Sequence, residues 1–176
     1  MIQIFGGKQV SSLTFLERVL QCHYRLDKLP ALSYTAFGKP FFSDIPELHF
    51  SISHSGTRIL CAIDSRPVGV DIELLTPRQP QLPRYSLTSE EYTKYLSLGG
   101  TWDAFYTLWT KKEAWSKYTG DGIGKSFRQP PQETGLNYET YVGSDWRATV
   151  CGEGVPTKKI LWLDSEAEEE PCYGKT

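Results

Sequence analysis

Three short apolar segments with turn residues between them fill the stretch from Leu48 to Glu73, and no other feature of the chain restricts its fold as strongly. Leu48, Phe50 and Ile52 alternate with His49, Ser51 and Ser53. Ile59 to Ile63 is a continuous apolar run, and Val68, Val70 and Ile72 alternate with Gly69, Asp71 and Glu73. A period of two is the signature of a strand with one buried face. Ser55-Gly56 and Asp64-Ser65-Arg66-Pro67 provide turns between the segments. An antiparallel meander is therefore expected here.

Helical spacing frames this region on both sides. Leu13, Leu16, Val19, Leu20 and Tyr24 fall on one face of a helix over 13–24, with Thr14 and Glu17 at the spacing of a capping box. After the strands, Pro77, Pro80 and Pro83 mark residues 76–84 as a linker. Thr88 and Glu91 form a second capping-box pattern ahead of Tyr92, Tyr95 and Leu96. A long helix is expected from Trp102 to Tyr118, stopped by Gly120-Asp121-Gly122. Tyr138 to Val142 and Trp146 to Cys151 read as a hairpin around Gly143-Ser144, and Ile160 to Leu163 as a further strand. The class is α+β. The order helix, strands, linker, helices, strands divides the chain into an N-terminal α+β half over 1–76, a C-terminal α+β half over 77–165 and an acidic tail over 166–176.

Charge and composition exclude several functions. The net charge of −2, with no basic stripe among exposed aromatics, disfavours nucleic acid as a partner. No apolar run approaches a membrane span, and residues 1–10 lack the apolar core of a signal peptide, so a cytoplasmic protein is expected. The four cysteines, Cys22, Cys61, Cys151 and Cys172, form no CxxC pair, which argues against a zinc site and for reduced thiols.

The chemistry concentrates in four places. Asp71 and Glu73 stand two apart on a strand, so both point to one face, opposite Val68, Val70 and Ile72. Adjacent carboxylates repel and call for a cation or a shifted pKa, and a hard ion such as Mg²⁺ takes oxygen ligands of this kind. A solvated strand face with incidental acids is the plain alternative. Glu113 and Lys117 share a helix face, a spacing that suits an ordinary stabilising ion pair as well as a site. Ser51, Ser53, His54 and Ser55 end in Gly56, a polar turn that fits phosphate binding better than a Ser–His hydrolase, because no Gly-x-Ser-x-Gly elbow is present. Gly38-Lys39-Pro40 adds a cation at a tight turn.

In order and spacing these segments resemble the surfactin-type 4'-phosphopantetheinyl transferases. The resemblance rests on Gly38-Lys39-Pro40; Phe50-Ser51-Ile52-Ser53-His54-Ser55; Val68-Gly69-Val70-Asp71-Ile72-Glu73; and the run from Trp109 through Lys112-Glu113-Ala114 to Lys117. It covers about residues 37–125 closely and the flanks weakly. It implies two similar α+β halves, the 4'-phosphopantetheinyl transferase fold, with the active site in the cleft between them. It implies Asp71, Glu73 and Glu113 as magnesium ligands, and Lys39, Ser53, His54 and Lys117 as coenzyme A contacts. Lys117 would meet the phosphates near the reacting bond, and Glu113 or a water beside it would take the proton. The implied reaction is Mg²⁺-dependent transfer of 4'-phosphopantetheine from coenzyme A to a serine of an acyl or peptidyl carrier protein, by a monomer. A non-catalytic homologue that binds coenzyme A or a carrier, and a nucleotide pyrophosphate hydrolase, are the rivals.

The chain departs from that family in two respects. The segment before Gly38 is short, which leaves Lys8, Arg18 and Arg25 as candidates for the 3'-phosphate, and Ser51 stands where the family often has Asn. Lys111, Lys112, Lys117, Lys125 and Arg128 form either a basic surface suited to an acidic carrier or a solvated helix face. Tyr118 and Phe127 would supply apolar contact there or belong to the core.

Overall fold

The computed structural model describes residues 1–8, 10–122, 124 and 129–163. The elements run β1 (Gln3–Lys8), α1 (Ser12–Tyr24), β2 (Leu32–Tyr34), β3 (Pro40–Phe42), β4 (His49–Ser55), β5 (Arg58–Asp64), β6 (Val68–Leu74), α2 (Leu82–Ser86), α3 (Ser89–Ser97), α4 (Trp102–Thr119), β7 (Asn137–Val142), β8 (Trp146–Gly152) and β9 (Leu161–Trp162). They form a four-stranded sheet in the order β4-β5-β1-β9, a three-stranded sheet β6-β8-β7 and the small hairpin β2-β3. The chain is mixed α+β.

Burial periodicity decides how these pieces stack. In β6 the even residues Val68, Val70 and Ile72 meet Ile4, Leu60 and Ala62 of the first sheet, Ile2 just before it, and Ala148 and Val150 of β8. This is an apolar core between two sheets. The opposite face of the first sheet gives Phe5, Ile59, Cys61 and Ile63 to α1, whose Phe15, Leu16, Val19 and Leu20 are fully covered. The opposite face of the second sheet receives α4. The layers therefore run α1, four-stranded sheet, three-stranded sheet, α4.

Strand β4 is the outer strand of the first sheet and β6 the outer strand of the second. An outer strand leaves every second backbone N–H without a ladder partner, which is costly once buried. Serine hydroxyls solve this: Ser51, Ser53 and Ser55 of β4 accept from the N–H groups of Val70, Ile72 and Leu74 at 3.1, 3.3 and 3.1 Å. Two sheets are thus stitched edge to edge through side chains. This corrects the expected meander. β4 and β5 form an antiparallel hairpin, but β6 leaves for the second sheet and pairs with β8.

Some other elements differ from the expected ones and others match them. The segment before residue 10 contains β1, which lies inside the first sheet between β5 and β9; Gly6-Gly7 hides its alternation. The first helix begins three residues earlier than the Thr14–Glu17 pattern suggests, because Ser11 is the cap and accepts from the Thr14 N–H at 3.1 Å. The Thr88–Glu91 capping box forms as read, with Glu91 accepting from the Thr88 N–H at 2.7 Å. α4 spans the expected helix and ends at Gly120 in the left-handed region. A division after residue 76 leaves β6 with the first part although its hydrogen bonds go to β8, and β9 returns to β1. The acidic tail over 166–176 lies outside the described residues.

Two glycines set the close approaches. Gly56 has φ +57° in the β4–β5 turn, and a Cβ there would stand 2.2 Å from the Leu74 side chain. Gly69 lies under α4, where a Cβ would stand 2.0 Å from the Ala114 carbonyl oxygen. Only a bare backbone lets α4 rest this closely on β6. Gly69→Ala should therefore push the helix away and destabilise the fold by about 1–3 kcal/mol, as overpacking does. A denaturant midpoint equal to that of the unsubstituted protein would show that the approach is not limiting.

Candidate active site

The face of β6 that carries Gly69 also carries Asp71 and Glu73, so the close approach of α4 brings Glu113 and Lys117 over the two acids. Asp71 is buried at 4 % exposure. Its Oδ1 accepts from Ser53 Oγ at 2.7 Å and from Lys117 Nζ at 2.8 Å. Its Oδ2 is buried with no hydrogen-bond partner. The i,i+4 pair that the helix spacing allowed does not form; Lys117 reaches across to β6 and also donates to Ser53 Oγ at 2.8 Å. Asp71, Ser53 and Lys117 are thus in direct mutual contact.

Glu73 and Glu113 flank this triplet. Glu73 is half-buried and accepts from Ser55 Oγ at 2.9 Å. Burial and then the charge of Asp71 push its carboxyl up, while the Ser55 bond pulls it down. Glu113 is pushed up to about 7 by burial, with Asp71 adding repulsion and Lys117 partly offsetting it. A carboxyl held there shares its proton near neutral pH.

Three carboxylates and one ammonium leave an excess of buried negative charge. With the unpartnered Asp71 Oδ2, this donor set suits a hard divalent cation. As they lie, no three Asp, Glu, His or Cys side chains among the described residues are gathered closely enough to form a ready ion cage.

Beside the acids opens a cavity of about 460 Å³. Glu113 and Lys117 form one wall, and Phe50, Ser51 and Ile52 another. The β2–β3 hairpin supplies Tyr34, Phe37, Gly38 and Lys39, with Tyr34 and Phe37 exposed at the rim. Lys39 lines the cavity, but its ammonium serves the scaffold. It donates to the Tyr118 carbonyl at 2.8 Å in the last turn of α4 and to the Val68 carbonyl at 3.4 Å. It therefore caps α4 and ties it to β6 and the hairpin. Burial lowers its pKa to about 8.

Other residues singled out from the sequence lie elsewhere. His54 is exposed, on the opposite face of β4 from Ser53 and Ser55, and is not part of the cavity wall. Lys8, Arg18 and Arg25 do not line the cavity either; Arg18 donates to the Leu163 carbonyl at 2.9 Å. The basic surface along α4 is not one surface. Lys112 is fully buried and paired with Glu91, Lys111 is paired with Glu133, and Lys117 belongs to Asp71. Tyr118 packs with the buried Ala114–Trp115–Cys151 cluster. Lys125, Phe127 and Arg128 lie outside the described residues. Sequence reasoning missed the structural load on Ser51 and Ser55. Their alternation along β4 was the available signal.

Comparison with known proteins points to one group. Residues 67–152 match the model of a family described as the 4'-phosphopantetheinyl transferase superfamily. The 4'-phosphopantetheinyl transferase Sfp of Bacillus subtilis (strain 168) is 38% identical over 108 residues, 60% of this chain and 48% of that protein. HetI of Nostoc sp., also a 4'-phosphopantetheinyl transferase, is 37% identical over 100 residues, covering 52% of this chain and 42% of its own length. AcpT of Salmonella typhi, of the same description, is 36% identical over 106 residues, 54% of this chain and 52% of its own. The chain spans about half the length of these curated relatives.

The Lys39 cap has a pH signature. Its folded pKa of about 8 lies below the ordinary 10.5, so between these values the unfolded chain binds more protons than the folded one. The cost of burying the ammonium is complete below pH 8 and is relieved as pH rises toward 10.5. Compared with Lys39→Met, the unsubstituted protein should gain stability over that window, read as a rising difference in melting temperature. A difference that stays flat across the window would show that Lys39 is not buried as a charge.

Proposed function

We propose, for a chain that belongs to the 4'-phosphopantetheinyl transferase superfamily, that it transfers the 4'-phosphopantetheine arm of coenzyme A to a serine of an acyl or peptidyl carrier protein, releasing adenosine 3',5'-bisphosphate. The observation that carries this reading is the contact of Asp71 and Ser53 with Lys117, which together with Glu113 lines a cavity. The wall combines a cation, a titratable carboxyl and an apolar rim, which together suit a phosphorylated ligand with a flat base and a long arm.

The donors fit Mg²⁺, with Asp71, Glu73 and Glu113 as the residues that would hold it. When bound, the ion supplies neutralisation of the pyrophosphate. Lys117 adds a second positive charge, already aimed at the acids, for the charge that builds on the departing bisphosphate. Asp71 is fixed by two donors, so its free Oδ2 has one direction available. Glu113 is the cavity-wall carboxyl that takes the hydroxyl proton as the serine oxygen bonds to phosphorus and the pyrophosphate P–O bond breaks. Lys39 and Gly38 contribute to ligand binding by shaping the wall. Ser53 acts on the ligand through Lys117, and His54, exposed on β4, serves as an outer contact for phosphate.

Two similar halves with the site between them agree with the layering, in which each sheet carries its own helix and the cavity draws walls from α1, the β2–β3 hairpin, β4 and α4. We place the division at the turn between β5 and β6 instead of after residue 76, because β6 is hydrogen-bonded to β8. The reading includes a cytoplasmic monomer; among the described residues no helix is long and apolar enough to cross a membrane.

Incubation with apo carrier, coenzyme A and Mg²⁺, followed by intact-mass measurement of the carrier, tests the reading. A phosphopantetheine adduct is expected. Asp71→Asn and Glu113→Gln should each cut its rate by at least roughly 100-fold while the circular dichroism spectrum stays native. Free phosphopantetheine formed without carrier would replace the reading with a hydrolase. Coenzyme A binding without any product, across several carriers, would leave only a binding protein.

A further inference from the structure

The serine stitch between β4 and β6 does more than close an edge. Each serine on β4 sits across one peptide unit of β6, accepting from the N–H of Val70, Ile72 or Leu74. The side chain one residue earlier on β6 faces the same hydroxyl. For Ser51 that residue is Gly69, which has no side chain to receive the proton. For Ser53 it is Asp71, and Ser53 Oγ donates to Asp71 Oδ1 at 2.7 Å. For Ser55 it is Glu73, and Ser55 Oγ donates to Glu73 Oε2 at 2.9 Å. While accepting from the Leu74 N–H, the Ser55 hydroxyl turns its one proton to the carboxylate.

We propose that Ser55 is a positioning residue for divalent-cation binding: anchored by the Leu74 N–H, it holds one oxygen of Glu73 and presents the carboxylate to an ion shared with Asp71 and Glu113. This rests on the reading of these acids as the metal site. Glutamate carries one more rotatable bond than aspartate and is less confined by its own backbone. Lys117 restrains Asp71, whereas among the described residues the Glu73 carboxylate accepts a hydrogen bond from Ser55 alone. Loss of that bond frees Glu73 to rotate and weakens the ion, as removal of outer-shell partners of metal ligands does.

A control lies away from the seam. Tyr95→Phe removes a hydroxyl that donates to the Gly100 carbonyl at 2.6 Å, and Tyr95 does not line the cavity. Mn²⁺ binding, titrated by electron paramagnetic resonance in the presence of coenzyme A and absence of carrier, reads the effect directly. Ser55→Ala should weaken Mn²⁺ roughly 10-fold or more, Ser55→Thr should restore it, and Tyr95→Phe should lower the melting temperature without moving Mn²⁺ affinity. In the transfer assay, Ser55→Ala should raise the Mg²⁺ concentration giving half-maximal rate and recover its rate at saturating Mg²⁺. If Ser55→Ala does not fold, Ser55→Cys, which keeps the size but donates weakly, should show the same shift in smaller measure. Unchanged Mn²⁺ affinity in the alanine or cysteine variant would overturn the positioning role and leave the metal site standing. Absence of Mn²⁺ binding by the unsubstituted protein would overturn the metal site and this inference together.

Discussion

Two sheet edges meet in this protein, and everything at the site depends on how their backbone groups are satisfied. A buried N–H without a partner costs roughly 1–3 kcal/mol. β6 presents a row of them toward β4. Direct ladder pairing would merge the sheets into one; serine hydroxyls instead satisfy the N–H groups of Val70, Ile72 and Leu74 while keeping the sheets distinct. The even residues of β6 then remain in the core between the sheets. The odd residues are left for α4.

That leftover face is where the charge accumulates. Gly69 admits the helix, and the helix brings Glu113 and Lys117 against Asp71 and Glu73. Burial, and then the charge of Asp71, raises the proton affinity of Glu73 and Glu113, and one ammonium offsets only part of it. The arrangement holds excess negative charge beside a cavity, a cost that a fold chosen for stability alone would avoid. The Lys112–Glu91 pair shows the contrasting case. It is equally buried, but its carboxylate is shared with the Thr88 cap and its charge is matched by one ammonium, so it locks α3 to α4.

Legibility followed the range of the interaction concerned. α4, the Thr88–Glu91 cap and the β7–β8 hairpin were readable because caps, helical spacing and tight turns act within a few residues. β1 was not, since two glycines break its alternation and its partners are distant. The departure of β6 from the meander was hidden for the same reason: alternation tells which face is apolar, not which strand lies alongside. Lys39 and Lys112 look alike in sequence to surface lysines; only their burial against carbonyls and a carboxylate distinguishes them.

Asp71, Glu73, Glu113 and Lys117 were marked from sequence alone, because strand and helix periods place each pair on one face and ordered motifs resemble a known family. Sequence could not say that Lys117 would pair with Asp71 instead of Glu113, or that Ser53 would spend its hydroxyl inside the protein. Those choices were made by tertiary structure, where a bare Gly69 lets a helix descend onto β6 and a serine seam sets the height at which the acids meet it. Local periods determine which way a side chain faces; only the packing of distant segments determines what it finds there.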